Sequence, residues 1–169
     1  MAISMYDVSV PVFKRVLTNL GAVLQKAKAH AQERKIDESA LLGARLYPDM
    51  FPLAKQVQIA TDQATGCAAR LAGMEPPSSE DKEQTFDELI ARIGRTVDYL
   101  GGLEPRAFDG AATRELTRPV GGKPHKFVGI NYLLQFSMPN VFFHATTAYD
   151  ILRHNGVPLG KADFIGTLD

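Results

Sequence analysis

Apolar residues recur along this chain at steps of three and four, and four stretches hold that period long enough to predict helices with one buried face. The first runs from about Ser4 to about Gln32, with Phe13, Val16, Leu20, Leu24 and Ala27 in line. Ser4-Met5-Tyr6-Asp7 has the form of a capping box, and Pro11 predicts either a kink or a second start after Ser9. The second, from about Pro52 to about Ala72, carries Leu53, Val57, Ala60, Ala64, Cys67 and Leu71 at heptad spacing and stops at Gly73. The third opens on a capping box, Thr85-Phe86-Asp87-Glu88, continues through Ile90, Ile93, Val97 and Leu100, and ends at Gly101-Gly102. The fourth spans Pro139 to Gly156, with Val141, Ala145, Ala148 and Leu152 as its stripe. Pro139 suits a first turn after a cap at Ser137, and Asn155-Gly156 followed by Pro158 closes the far end. Arg153 and His154 fall in the last turn, where positive charge favours the helix dipole.

The intervening segments read differently. Asp37-Glu38-Ser39 predicts a brief helix over Ala40-Leu41-Leu42. Pro48 and Pro52 break any helix between Arg45 and Pro52, yet Leu46, Tyr47, Met50 and Phe51 are large and apolar. That combination predicts a packed connection across one end of the helices. Met74 to Gln84 reads as a linker. Glu104 to Val128 has no helical period, and Pro119 to Pro124 between two β-prone runs predicts a two-stranded hairpin or extended cover. Asn131 to Phe136 predicts a helical turn into the last helix, and the tail carries anchors at Leu159, Phe164 and Ile165. The pattern therefore predicts an all-α fold in one domain, residues 1–169. It is an antiparallel four-helix bundle with a small hairpin or extended insertion between helices three and four.

Bulk properties narrow the function. A chain of 169 residues with 45% hydrophobic and 22% charged residues can bury a substantial core. Nineteen basic residues balance nineteen acidic ones, so no global field attracts nucleic acid or an anionic membrane. One cysteine, Cys67, excludes an intramolecular disulfide and a cysteine-rich zinc site. No signal peptide and no bilayer-length apolar run are visible, and the expected location is cytoplasmic.

Candidate chemistry centres on the fourth helix. His144 lies roughly 60° from the centre of the apolar stripe, with Asn140 and Thr147 on the same shoulder, while His154 points roughly 80° away from it. Three readings of His144 stay open: a hydrogen-bonded, half-buried histidine, a polar group in an apolar ligand pocket, or a metal ligand. Asp49 reads as a turn residue capping the second helix, since acid–base work needs a second group that the sequence does not place. Gln56 and Gln63 flank the seam of that helix and suit inter-helix hydrogen bonds or substrate contacts. Cys67 sits within the seam and reads as a buried, inert thiol. Gly121-Gly122 lacks a P-loop context and Ser137 lacks a GxSxG context.

Two blocks, LYPDMFPLAKQVQIATDQA (Leu46 to Ala64) and FHATTAYDILRHNGVPLGKADFIG (Phe143 to Gly166), resemble the hallmarks of a bacterial domain-of-unknown-function family in the DinB/YfiT-like superfamily of metalloenzymes. The resemblance covers nearly the whole chain and implies a DinB-like, often dimeric four-helix bundle. Members of the superfamily include metal-dependent hydrolases and thiol transferases, with one metal-binding histidine on the second helix and two spaced four apart on the last. Here only His144 matches that pattern, with Ala148 and Asn140 at the neighbouring positions and no histidine on helix two. One imidazole among amides is a poor zinc or nickel site, so neither metal nor cofactor is expected. The reading is a domain that binds a small molecule under the Tyr47–Phe51 loop, with His144, Asn140, Gln56, Tyr47 and Asp49 as lining candidates. Two alternatives stand beside it: a DinB/YfiT-type metal-dependent hydrolase or thiol transferase, and a homodimeric structural or interaction domain.

Overall fold

The computed structural model describes residues 3–167 and is mostly helical, with one small antiparallel sheet. Ser4 and Asp7 do form reciprocal capping bonds, but these close only a turn. The first long helix, α1 (Val10–Arg34), starts after Ser9 with Pro11 in its first turn, the second of the two starts the sequence allowed. A short α2 (Glu38–Leu42) begins where the Asp37 carboxylate accepts from the Ser39 amide. Three more long helices follow: α3 (Leu53–Leu71), α4 (Phe86–Gly101) and, after the hairpin, α6 (Met138–His154). The capping box at Thr85 and Glu88 forms in full. At the end of α6, Gly156 takes φ 89° while Val157 and Gly156 donate to the Leu152 and Arg153 carbonyls, the bonding of a Schellman cap.

α3 packs chiefly on α6 and α4, and α1 chiefly on α4. Lys28 near the end of α1 meets Asp87 at the start of α4, and the Lys14 side chain lies over Gly101 at the other end. The shared interior holds every apolar seam residue expected on α1, α3 and α6. On α4 the buried line is turned from the expected one. Leu89, Arg92 and Thr96 are buried with Phe86, Ile93 and Leu100, while Ile90 and Val97 are only half-buried. The rotation brings an arginine inside.

Strands β1 (Glu115–Val120) and β2 (Lys123–Val128) pair antiparallel across Gly121-Gly122, both at positive φ, as a two-residue hairpin loop requires. α5 (Gly129–Asn131) then leads into a π-helical turn (Tyr132–Ser137) that runs on into α6. Pro139 explains the wide turn: it cannot donate to the carbonyl of Gln135, and its ring would strike that carbonyl in a regular helix. Ser137 is thus buried inside continuous helix and is not the cap its sequence position suggested. α7 (Lys161–Ile165) is stitched to α1, with Arg15 donating to the Ile165 and Thr167 carbonyls and Asn19 to that of Phe164.

The loop from Arg45 to Pro52 departs from expectation. It closes on itself through Met50 N–H to the Tyr47 carbonyl and Arg45 to the Met50 carbonyl. Its aromatic side chains stand in solvent, Tyr47 at 66% and Phe51 at 53% exposure, because the turn is closed by bonds to its own carbonyls and not by packing of its rings.

Candidate functional site

α3 and α6 approach closely because alanines line both stripes, Ala60 and Ala64 on one and Ala145 and Ala148 on the other. At the shoulder of this contact His144, 8% exposed, places Nδ1 2.7 Å from Oε1 of Gln56. Gln56 Nε2 lies 3.0 Å from the Phe51 carbonyl, which can only accept, so the amide must turn its nitrogen there and its oxygen to the ring. Nδ1 therefore carries the proton and Nε2 carries the lone pair. Burial pushes the His144 pKa down, so the ring is neutral at physiological pH. The resulting group is an imidazole held in one tautomer, with its basic nitrogen unpaired among the described residues.

Phe143 meets the His144 ring edge to face at 5.2 Å between centroids and is 55% exposed. The histidine thus lies between an exposed phenylalanine on its own helix and, through Gln56, the carbonyl of exposed Phe51. The other expected residues behave differently. Asn140 gives its Nδ2 to the Phe136 carbonyl at 2.7 Å and helps satisfy the backbone at the end of the π turn. Tyr47 and Asp49 sit on the exposed loop, and among the described residues the Asp49 carboxylate caps nothing: α3 starts at Leu53, after Pro52, without a side-chain cap.

The residues present do not fit the three-histidine metal set. Gln56 and His144 share a proton directly, and the protonated Nδ1 cannot ligate an ion between them. Among the described residues no three histidine, cysteine, aspartate or glutamate side chains converge. Cys67 is no thiolate donor either, as burial pushes its thiol up to about 12. Ser137, beside it, has a buried hydroxyl without a partner at hydrogen-bonding distance and angle among the described residues.

Sequence reasoning missed the most charged interior cluster. Arg92, 2% exposed, donates Nε to Thr61 at 2.7 Å, Nη2 to Asp62 at 2.6 Å and Nη1 to Glu83 at 3.1 Å, with Asp81 at 3.2 Å. It also holds the Glu80 carbonyl, and Gln58 supports Glu83 from α3. The supposed linker is thereby fastened down the α3–α4 seam. The signal was present: Arg92 stands three residues after Leu89 and four before Thr96, on the inward line.

Residues 5–165 match a family described as a domain of unknown function, DUF1993. The chain belongs to the DUF1993 family. The crystal structure of a DinB family member protein from Shewanella denitrificans shares this DUF1993 chain's fold at a TM-score of 0.91. The two are 42% identical, over 97% of this chain and 93% of that one. No curated protein matches the chain.

Proposed function

We propose that this DUF1993 chain is a DinB-like four-helix-bundle domain that binds a small molecule at His144 without a complete metal site. The observation that supports the reading is the relay from the Phe51 carbonyl through Gln56 to Nδ1. It fixes a neutral imidazole with Nε2 free to accept from a ligand N–H or O–H. The exposed rings of Phe143, Phe51 and Tyr47 supply apolar surface for the rest of such a ligand. The test is a fragment screen read by the ¹⁵N resonances of the histidine ring. Binding should move Nε2 of His144, leave Nδ1 protonated, and vanish in His144→Phe. One equivalent of zinc or nickel held by untagged protein and lost in His144→Ala would overturn the reading in favour of a DinB-type metalloenzyme.

The same exposed aromatic rim supports a second reading, a homodimer joined through this face. A concentration-independent monomer in sedimentation equilibrium at micromolar protein would remove it.

A further inference from the structure

A second polar cluster lies where α3, β1 and the π turn meet, and unlike the Arg92 network it has cations without acids. Arg70 Nη1 donates to the Gly66 carbonyl at 2.9 Å and reaches the Tyr132 hydroxyl at 3.3 Å. Arg118 Nη1, from the hairpin, donates to Gln63 Oε1 at 2.7 Å and lies 3.5 Å from the same hydroxyl. Both arginines are half-buried and Tyr132 is buried. Among the described residues no carboxylate lies within 4 Å of either guanidinium.

Two like charges that share one neutral oxygen repel each other, so something must hold them together. Gly66 provides space for one: a Cβ at that position would come within 2.7 Å of Arg70 Nη1. Gln63 and the face of Phe136 hold the other, with the Arg118 guanidinium carbon 4.7 Å from the ring centroid. The π turn supplies both aromatic members, since Tyr132 and Phe136 stack 6.0 Å apart within it. Among the described residues each guanidinium spends only Nη1 on protein. Its Nε–Nη2 edge, the fork that grips a carboxylate or phosphate with two parallel bonds, is unused. Arg70 also lines an open groove of about 420 Å³, beside Arg114, whose own guanidinium is committed to the Leu71 and Asp109 carbonyls. Glu75 and Glu115 line the same groove and disfavour a polyanion.

We infer that Arg70 and Arg118 form a binding site for a small oxyanion, the carboxylate or phosphate group of a free solute, with Phe136 as its apolar wall. The inference is independent of the reading of His144. It is tested on the full chain by titrating sodium phosphate, and separately sodium acetate, at ionic strength held constant with chloride. The readouts are calorimetry and the arginine Nε–H NMR signals. Saturable shifts confined to Arg70 and Arg118 are expected. Arg118→Gln should weaken binding at least about tenfold, and Arg95→Gln on the surface should leave it unchanged. A response to phosphate alone assigns a phosphate group, and one to acetate alone a carboxylate. Absence of saturation with both anions in the wild-type chain, or an equal response in Arg118→Gln, would overturn the proposal. The wild-type signals decide the matter even where the variant folds poorly.

Discussion

At the scale of single residues, His144 and its glutamine partner make the sharpest predictions. Replacing Gln56 with leucine strands a buried N–H and should cost about 1–3 kcal/mol in denaturant unfolding. It should also release the ring from its tautomer, visible as mixed Nδ1 and Nε2 signals in ¹⁵N spectra. The pH dependence has a definite sign. The folded pKa of His144 lies below the unfolded one, so the folded chain binds fewer protons as pH falls. Its contribution to stability is complete above the unfolded pKa, about 6.5, and declines as pH drops below that toward the folded value. His144→Gln should flatten the stability curve in that window. Gly129 is a second demanding position, because any Cβ there would overlap the Ala111 carbonyl oxygen, a backbone atom that cannot swing aside. Gly129→Ala should lower the melting temperature more than the same change at Gly94, where nothing stands within 4 Å.

At the scale of elements, the segment from Met74 to Gln84 has no regular structure yet is anchored by Arg92 through Glu83, Asp81 and the Glu80 carbonyl. Removing Arg92 leaves the buried Glu83 carboxylate uncompensated, a loss of about 3–5 kcal/mol. Arg92→Met should therefore destabilise the fold by that order. It should also expose the segment to a protease that spares the wild type, with the first cuts falling between α3 and α4. The mechanism predicts more than general weakening: a core cavity made elsewhere, such as Leu17→Ala, should not direct the first cuts to this segment. The α3–α6 element pair is set apart by small residues, and Cys67 lies within it, fully buried with a thiol near 12. Thiol reagents at pH 8 should label it only at the rate of unfolding.

At the scale of the whole molecule, acid stability draws, among the described residues, on three carboxyls held below their ordinary values, those of Asp37, Asp163 and Glu83. Burial acts to raise the Glu83 pKa, but bonds from its own backbone, Arg92 and Gln58 outweigh that and hold the carboxyl below its ordinary value. A depressed carboxyl contributes stability above the unfolded pKa, and that contribution is lost as pH falls through the folded value. Asp62, with half of its side chain in water, is shifted upward by burial and opposes this loss. Stability should thus fall below about pH 4.3, and Glu83→Gln should reduce that slope while lowering stability at neutral pH, leaving the part that Asp37 and Asp163 supply. No described helix is long and apolar enough to cross a membrane.

The period of the apolar residues, with the caps at Thr85 and Gly156, the Asp37 turn and the Gly121-Gly122 reversal, determined where the long helices and the hairpin fall. Each of these features is fixed by neighbours within four or five residues, and such local physics is written in order along the chain. His144 and Gln56 could be named as candidates for the same reason, from their places on their own helices. What the sequence could not supply was anything settled by the azimuth of one helix against another. A turn of α4 by a fraction of a residue brought Arg92 inside, drew a presumed linker onto α3 and α4 and left Ile90 and Val97 at the margin. Only the tertiary fold decided that Phe51, Gln56 and His144 stand on one chain of hydrogen bonds, and that Arg70, from α3, and Arg118, from the hairpin, meet at one phenol. Hydrogen bonds and charges act over a few ångströms in space, and the chain spreads those partners across as many as 88 positions.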